Sequence, residues 1–430
     1  MPKGKKKGKF EHRRTELPYS SDEDAGIDMT NDNYSETSGQ SDLRSNHDDA
    51  ENEIQEKLEE KVLEIIDALS ARANAARAAA LVSLKNVLQR RYLAHLLSTQ
   101  RVTLADHITK ALRRGRDGEK KAAAAVAPLL ALQIGEEGTE EFMAEVRPAL
   151  AAAAVDKSAS LETRTECCSS LAVLCYLLEE DLTEILEIMR MYETIFSGSY
   201  LKGDGSVKVS GSAVEEGGWH AAALDAWALL LALAEPRHAR ALLLERQPSF
   251  ARLADLLDAC SLEVRLAAGG ALATAHERCC ADADDEVEWS EAAALPRLQR
   301  LARDSHKYRA KRDRKLQRAT FRDILKYFEE GTVETERVRL GAESVELAGW
   351  GARAAYGALA GALGAGLAAL APHCAALRHA LALPDAAAAH AVPARKLNKL
   401  QRHLQNSAAC KARTVARNKS RDKRSAALAL

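Results

Sequence analysis

The chain has 430 residues, 47% hydrophobic but only 4% aromatic, and its 61 Lys and Arg against 62 Asp and Glu leave a formal net charge of −1. That length fits two or three ordinary domains or one long repeat array. Few aromatics beside abundant Ala and Leu argue against a β-rich fold and for an all-α one, and near-neutrality excludes a global field that would draw the whole chain to nucleic acid. Charge is segregated instead, with acids early and bases late. The eight cysteines, Cys167, Cys168, Cys175, Cys260, Cys279, Cys280, Cys374 and Cys410, show neither C-x-x-C nor a Cys/His zinc spacing. Cys167-Cys168 and Cys279-Cys280 sit in Ala-rich helical runs and read as small buried hydrophobes, and a reducing compartment is expected.

Residues 1–52 begin basic, from Lys3 to Lys9, and continue rich in Ser, Asp, Glu, Asn and Gly. So little aliphatic content cannot offset chain entropy, and the segment is expected to be a disordered basic-then-acidic tail. Its start lacks the apolar stretch of a secretory signal. Ser20, Ser21, Ser35 and Ser41 lie near acids and suit an acid-directed kinase.

From Glu53 the apolar residues Ile54, Leu58, Val62, Ile65, Ile66 and Leu69 recur at helical spacing. A theme then repeats, in which a base opens a run of small residues that ends in a larger apolar one, at Arg77, Lys120-Lys121, Arg164 and Arg265. Arg77 lies 44 residues before Lys121, and Lys121 lies 43 before Arg164. Those spacings fall within the range of about 40–47 residues typical of HEAT and armadillo repeats. The 101 residues from Arg164 to Arg265 fit two periods and an insertion, the Gly/Ser-rich stretch 197–218. Residues 53–303 are therefore expected to form a HEAT/armadillo-like helical-repeat solenoid of about five stacked helix pairs. Pro128, Pro148, Pro236 and Pro248 are expected at helix starts and corners.

A basic block follows. Residues 304–328 carry Lys307, Arg309, Lys311, Arg312, Arg314, Lys315, Arg318, Arg322 and Lys326, interleaved with Tyr308, Phe321 and Tyr327 that could stack on bases. Phe321, Ile324, Leu325 and Phe328 suit packing on the solenoid, so opposite faces are expected to serve the two purposes. In the remainder of a C-terminal domain placed at 304–394, Ala354–Pro372 has no charged residue. Its Ala and Gly give little transfer energy, and a buried helix is expected rather than a membrane span.

The tail 395–430 holds Arg395, Lys396, Lys399, Arg402, Lys411, Arg413, Arg417, Lys419, Arg421, Lys423 and Arg424 against the single acid Asp422. No Pro or Gly interrupts it, so a helix is expected. With Arg413 at zero and about 100° per residue, the other six bases from Lys411 onward fall at about 20° to about 280°. Charge surrounds the helix, which suits a cavity walled by phosphate and not a membrane surface, which needs an apolar stripe. A disordered tail or a nuclear import signal is the alternative.

There is no G-x-x-x-x-G-K-[ST] and no strand-linked G-x-G-x-x-G, and His95, His107, His220, His238 and His276 stand singly. The chain reads as a non-enzymatic binding protein with no cofactor, no metal, no membrane and no small-molecule substrate.

Two stretches carry a resemblance. The tail Asn406-Ser-Ala-Ala-Cys-Lys-Ala-Arg-Thr-Val-Ala-Arg-Asn-Lys-Ser-Arg-Asp-Lys-Arg424 resembles the C-terminal signature of the interferon-related developmental regulator family. Lys307-Tyr-Arg-Ala-Lys-Arg-Asp-Arg-Lys-Leu-Gln-Arg-Ala-Thr-Phe-Arg-Asp-Ile-Leu325 is similar to the basic segment closing that family's helical repeats. The resemblance implies a cytoplasmic factor that holds 80S ribosomes translationally inactive, occupying tRNA sites with the terminal helix in the mRNA channel. The rRNA-facing residues would be Lys307, Arg309, Lys311, Arg312, Arg314, Lys315, Arg318, Arg322, Lys396, Lys399, Arg402, Lys411, Arg413, Arg417, Lys419, Arg421, Lys423 and Arg424, with ribosomal proteins as further partners. It equally implies an alternative, a nuclear transcriptional co-regulator whose repeats bind co-repressor and chromatin-modifying proteins on a concave face.

Overall fold

The computed structural model describes residues 57–134, 136–201, 214–245, 248–281, 291–303 and 310–384. The expectations for residues 1–52, for the middle of the 197–218 insertion, for Lys307, Tyr308 and Arg309, and for the tail from Arg395 to Arg424 lie outside the described residues.

Helices dominate. After α1 (57–68) come α2 (Asn74–Leu88), α3 (Ala94–Arg114), α4 (Asp117–Ala131), α5 (Glu136–Val155), α6 (Leu161–Leu178), α7 (Leu182–Phe196), α8 (Gly217–Leu231), α9 (Pro236–Glu245), α10 (Phe250–Asp255), α11 (Leu262–Cys279), α12 (Glu291–Arg303) and α13 (Lys311–Glu330). Local chemistry sets several of the starts. Ser160, Asp181 and Ser249 each accept a hydrogen bond from a backbone N–H of the first turn they precede, which satisfies donors no helix can pair internally.

The helices fall into two rows. α2, α4, α6, α8, α11 and α13 each pack on the next of that series, while α3, α5 and α7 form the second row, taken up again by α9, α10 and α12. This is the repeat solenoid expected from the spacing. The periodic base has a definite place in it. Arg77, Lys120, Arg164, Arg265 and Arg314 all stand at the fourth position of a first-row helix, with His220 at that position in α8. From there Arg77 forms a two-pronged ion pair with Glu119 of α4 at 2.7 and 2.9 Å. Lys121 beside Lys120 reaches Glu162 of α6, the Arg164 guanidinium lies 3.4 Å from the Trp219 ring of α8, and Arg265 donates to Gln317 of α13 at 3.2 Å. Each link ties one repeat to the next.

The inner first-row helices α4, α6, α8 and α11 are buried nearly all round. Ala122 through Ala131 of α4 are all buried, as are Leu224 and Leu229 of α8 and Leu272 of α11. Alanine lets neighbouring helices approach closely, and each buried Leu contributes about 1.5–3 kcal/mol.

Three expectations are corrected. Pro128 and Pro148 do not mark corners but lie inside α4 and α5. Each costs its helix one backbone hydrogen bond, which the burial around Pro128 offsets. Pro236 does begin α9. The uncharged stretch 354–372 is not one helix. It is broken at Gly364, whose φ of 55° favours a residue without Cβ, into α14 (Trp350–Leu363) and α15 (Gly366–Leu370), followed by α16 (Ala375–Ala380). No helix among the described residues is long and apolar enough to cross a membrane. The third correction is that Cys280, unlike the buried Cys167, Cys168, Cys175 and Cys279, is exposed at the end of α11. The boundary drawn after residue 303 falls between α12 and α13, which pack on each other as one more pair.

A short antiparallel hairpin follows α13, β1 (Glu336–Leu340) and β2 (Glu343–Leu347), with Val338 opposite Val345. Leu340, Val345 and Leu347 are buried while their neighbours are exposed, the period-2 alternation of a half-covered ribbon. Arg378 of α16, itself buried, holds the hairpin through Glu343 at 3.1 and 3.2 Å.

α14 is the element that ties the molecule together. It runs across the first row, in contact with α11, α8, α6 and α4. At its N-terminus the Glu277 carboxylate of α11 accepts from the backbone N–H of Trp350 at 3.0 Å and of Gly351 at 2.7 Å. At its C-terminus Gln89, just past α2, donates to the Leu363 carbonyl at 3.1 Å. Both ends of a helix that would otherwise leave polar groups unpaired are satisfied by distant repeats.

Candidate nucleic-acid interface

α13 has a sharp division of labour. Phe321 and Ile324 are fully buried, Tyr327 and Phe328 nearly so, and Gln317 bridges Arg265 and the Leu301 carbonyl. Phe328 meets Phe250 and His276 edge-on or tilted, and His276 shares a hydrogen bond of 3.0 Å with the Tyr327 hydroxyl. These contacts fix the rotation of the helix about its axis.

That rotation sends the bases outward. Lys311, Arg312, Lys315, Arg322 and Lys326 are exposed, and Arg318 is half-buried beside them. On a helical wheel they occupy an arc of about 120°, and Lys311, Lys315, Arg318, Arg322 and Lys326 form a stripe about 22 Å long. Lys311, Arg312, Lys315 and Arg322 make no ion pair among the described residues. Lys326 pairs with Glu334 at 2.6 Å, which raises the lysine's pKa and lowers the acid's through the hydrogen bond they share. On the exposed side of β1, Arg337 pairs with Glu346 at 2.6 Å, and Arg339 is exposed as well.

The sequence-derived set is thus divided. The structure brings Lys311, Arg312, Lys315, Arg318 and Arg322 to one face. Arg314 instead turns toward the protein, half-buried, with its Nε enclosed and without a partner, as befits the repeat position it holds. Lys307 and Arg309, and Lys396, Lys399, Arg402, Lys411, Arg413, Arg417, Lys419, Arg421, Lys423 and Arg424, lie outside the described residues. Of the aromatics expected to offer stacking, Phe321 and Tyr327 do not. Both face the core, because their spacing places them opposite the stripe. The face can neutralise and position phosphates, and it carries no stacking side chain from α13.

Potential catalytic groups are packed rather than poised. Burial pushes the thiols of Cys167, Cys168, Cys175 and Cys279 up to about 12, which leaves them inert as nucleophiles. His220 was read as solitary, yet the fold brings its Nδ1 within 2.7 Å of Ser199 Oγ and its Nε2 to 4.0 Å from Glu216. Burial lowers the imidazole's pKa, and its ring lies against Trp219 at 5.1 Å. No local pattern revealed that pairing, since Ser199 lies at the start of the insertion and His220 just beyond its end. No group of three or more His, Cys, Asp or Glu among the described residues could hold a metal ion.

Fold and face define the class, an all-α helical-repeat protein whose last repeat presents a fixed basic stripe. Comparison with known sequences makes it particular. The sequence model of the interferon-related developmental regulator family matches residues 33–329, ending with α13, and that of an interferon-related protein conserved region matches 377–425. The chain is 34% identical over 420 residues to mouse interferon-related developmental regulator 1, covering 96% of this chain and 91% of the other. It is 33% identical to the human protein of that name over 422 residues, with the same coverage, and 35% identical to mouse interferon-related developmental regulator 2 over 374 residues, 86% and 83% of the two chains. The chain belongs to the interferon-related developmental regulator family.

Proposed function

We propose that this protein is a non-enzymatic ribosome-binding factor that holds 80S ribosomes inactive, with rRNA as its main contact. The exposed stripe on α13 is the observation that carries this reading. A row of bases of which Lys311, Lys315 and Arg322 have no acidic partner among the described residues, on a helix whose rotation is locked by a buried face, is preorganised to neutralise phosphates and release counterions. The tail from Arg395 to Arg424 extends the same chemistry in sequence, and basic on every side it suits the mRNA channel, with the folded repeats over the tRNA sites. The cytoplasm is the compartment this role requires.

The alternative, a nuclear scaffold binding co-repressors through the repeats, needs an open face on the first row. α14 lies across α4, α6, α8 and α11, which favours the ribosomal reading.

Sedimentation of extract through a sucrose gradient at fixed magnesium and salt tests the proposal. The intact chain is expected with 80S monosomes rather than polysomes, and a triple variant Lys311→Gln, Lys315→Gln, Arg322→Gln or a chain ending at Pro393 is expected to stay near the top. An intact chain that remains at the top would refute the ribosomal role.

A further inference from the structure

α14 does not seal the first row completely. Between it and α6, α8 and α11 lies a cleft of about 520 Å³, walled mainly by alanine and glycine, within the range of about 300–1,000 Å³ typical of small-molecule sites. Its space comes from missing side chains, since a Cβ added at Gly270, Gly357 or Gly361 would meet nothing within 4 Å.

Polar groups converge on this apolar space. Asp225 of α8 lines it, is exposed, and has neither hydrogen bond nor ion pair among the described residues. Thr274 of α11 is 2% exposed, lines the same cleft, and also lacks a partner among the described residues. Glu166 of α6 stands on the wall, and the Trp350 ring closes one side. The one base lining the cleft is Arg353, whose guanidinium is directed elsewhere, donating to the Glu334 carbonyl at 2.7 Å. Desolvation by the surrounding protein pushes the Asp225 carboxyl up to about 7.

We propose that this cleft binds a protonated aliphatic amine, with the ammonium at Asp225, its hydrogen-bonding capacity completed by Thr274, and the methylene chain along the Ala and Gly of α14. A metal ion would need more anionic ligands than converge here. A neutral apolar ligand filling the cleft would take water from Asp225 and leave the carboxylate unpaired, which is costly. An ammonium pairs the carboxylate while its alkyl stem fills the dry wall, as lysine stems do on protein surfaces.

Calorimetric titration of the full chain at pH 8, free of RNA, tests this with two probes. Spermidine represents a free amine, and an N-acetyl-lysine amide represents the side chain of a protein partner. Binding of either at 1:1 is expected, and the tighter probe assigns the source. Asp225→Asn should weaken it at least tenfold, and Gly361→Leu, which fills the cleft without altering charge, should do the same. Both effects should be absent for binding at the acidic N-terminal segment, so undiminished binding in Asp225→Asn would overturn the proposal. So would equal affinity for the neutral isostere 1-hexanol and for hexylamine, which would mark an apolar cavity only.

Discussion

Arg265 and Asp225 stand on neighbouring first-row helices, α11 and α8, yet the protein treats the two charges in opposite ways. The Arg265 guanidinium is 3% exposed and donates to the Ala259 and Cys260 carbonyls at 2.7 and 2.9 Å and to Gln317. Arg265→Ala would leave those acceptors unpaired and is expected to cost about 3 kcal/mol, read from denaturant midpoints. Arg77→Ala should cost less, because the Arg77 side chain is 25% exposed and water can replace it. Asp225 has no such partners. Its carboxyl titrates at about 7 in the folded chain against 3.8 ordinarily, so between those values the native state holds more protons than the unfolded one, and stability falls as pH rises through that window. Asp225→Asn is therefore expected to raise Tm above pH 7 and to leave it unchanged near pH 4. A Tm gain of the same size at both pH values would show that Asp225 is not the titrating group.

At the scale of elements, two adjacent glycines make the most direct contrast. A Cβ at Gly269 would come within 2.7 Å of Ile324 and 2.9 Å of Phe321, so α13 lies directly on the α11 backbone there. Gly269→Val is expected to push the basic helix off its seat and cost about 1–3 kcal/mol as an overpacked core does. Gly270 faces the cleft, and Gly270→Ala should stabilise by about 0.5–1 kcal/mol through helix propensity alone. Thermal melts of the two variants should move in opposite directions. For α13 itself, neutralising Lys311, Lys315 and Arg322 should lower the slope of log affinity for RNA against log salt by about 2–3. Melting should hardly change, since all three side chains are exposed. An unchanged salt slope would mean that the stripe does not meet phosphate.

At the scale of the whole molecule, α14 decides how the repeats cohere. Solenoids are held by neighbour contacts alone, whereas here one helix joins Glu277 near one end of the first row to Gln89 near the other. Glu277→Ala removes the acceptor of two backbone N–H groups and is expected to destabilise by about 1–3 kcal/mol. Hydrogen exchange should then rise in α14 and along the rows it crosses, not only in α11. Exchange confined to α11 would show that the repeats cohere without it.

What the sequence determined by itself is what short-range chemistry controls. The all-α class, the repeat period, the start of Pro236's helix and the two faces of α13 follow from residues three, four or about 44 positions apart, and a helix or a repeat imposes those spacings. Even the fourth-position base was legible as a motif, though not as a link between repeats. The hairpin at 336–347 left a period-2 signal that a helical reading passed over. Tertiary structure alone decided the rest. Gln89 and Leu363 meet across 274 residues, Ser199 and His220 meet across an insertion, and the cleft exists because glycines of separate helices face one another. No local pattern encodes such meetings, because packing area and the need to satisfy helix ends select the partner only when the whole chain is folded.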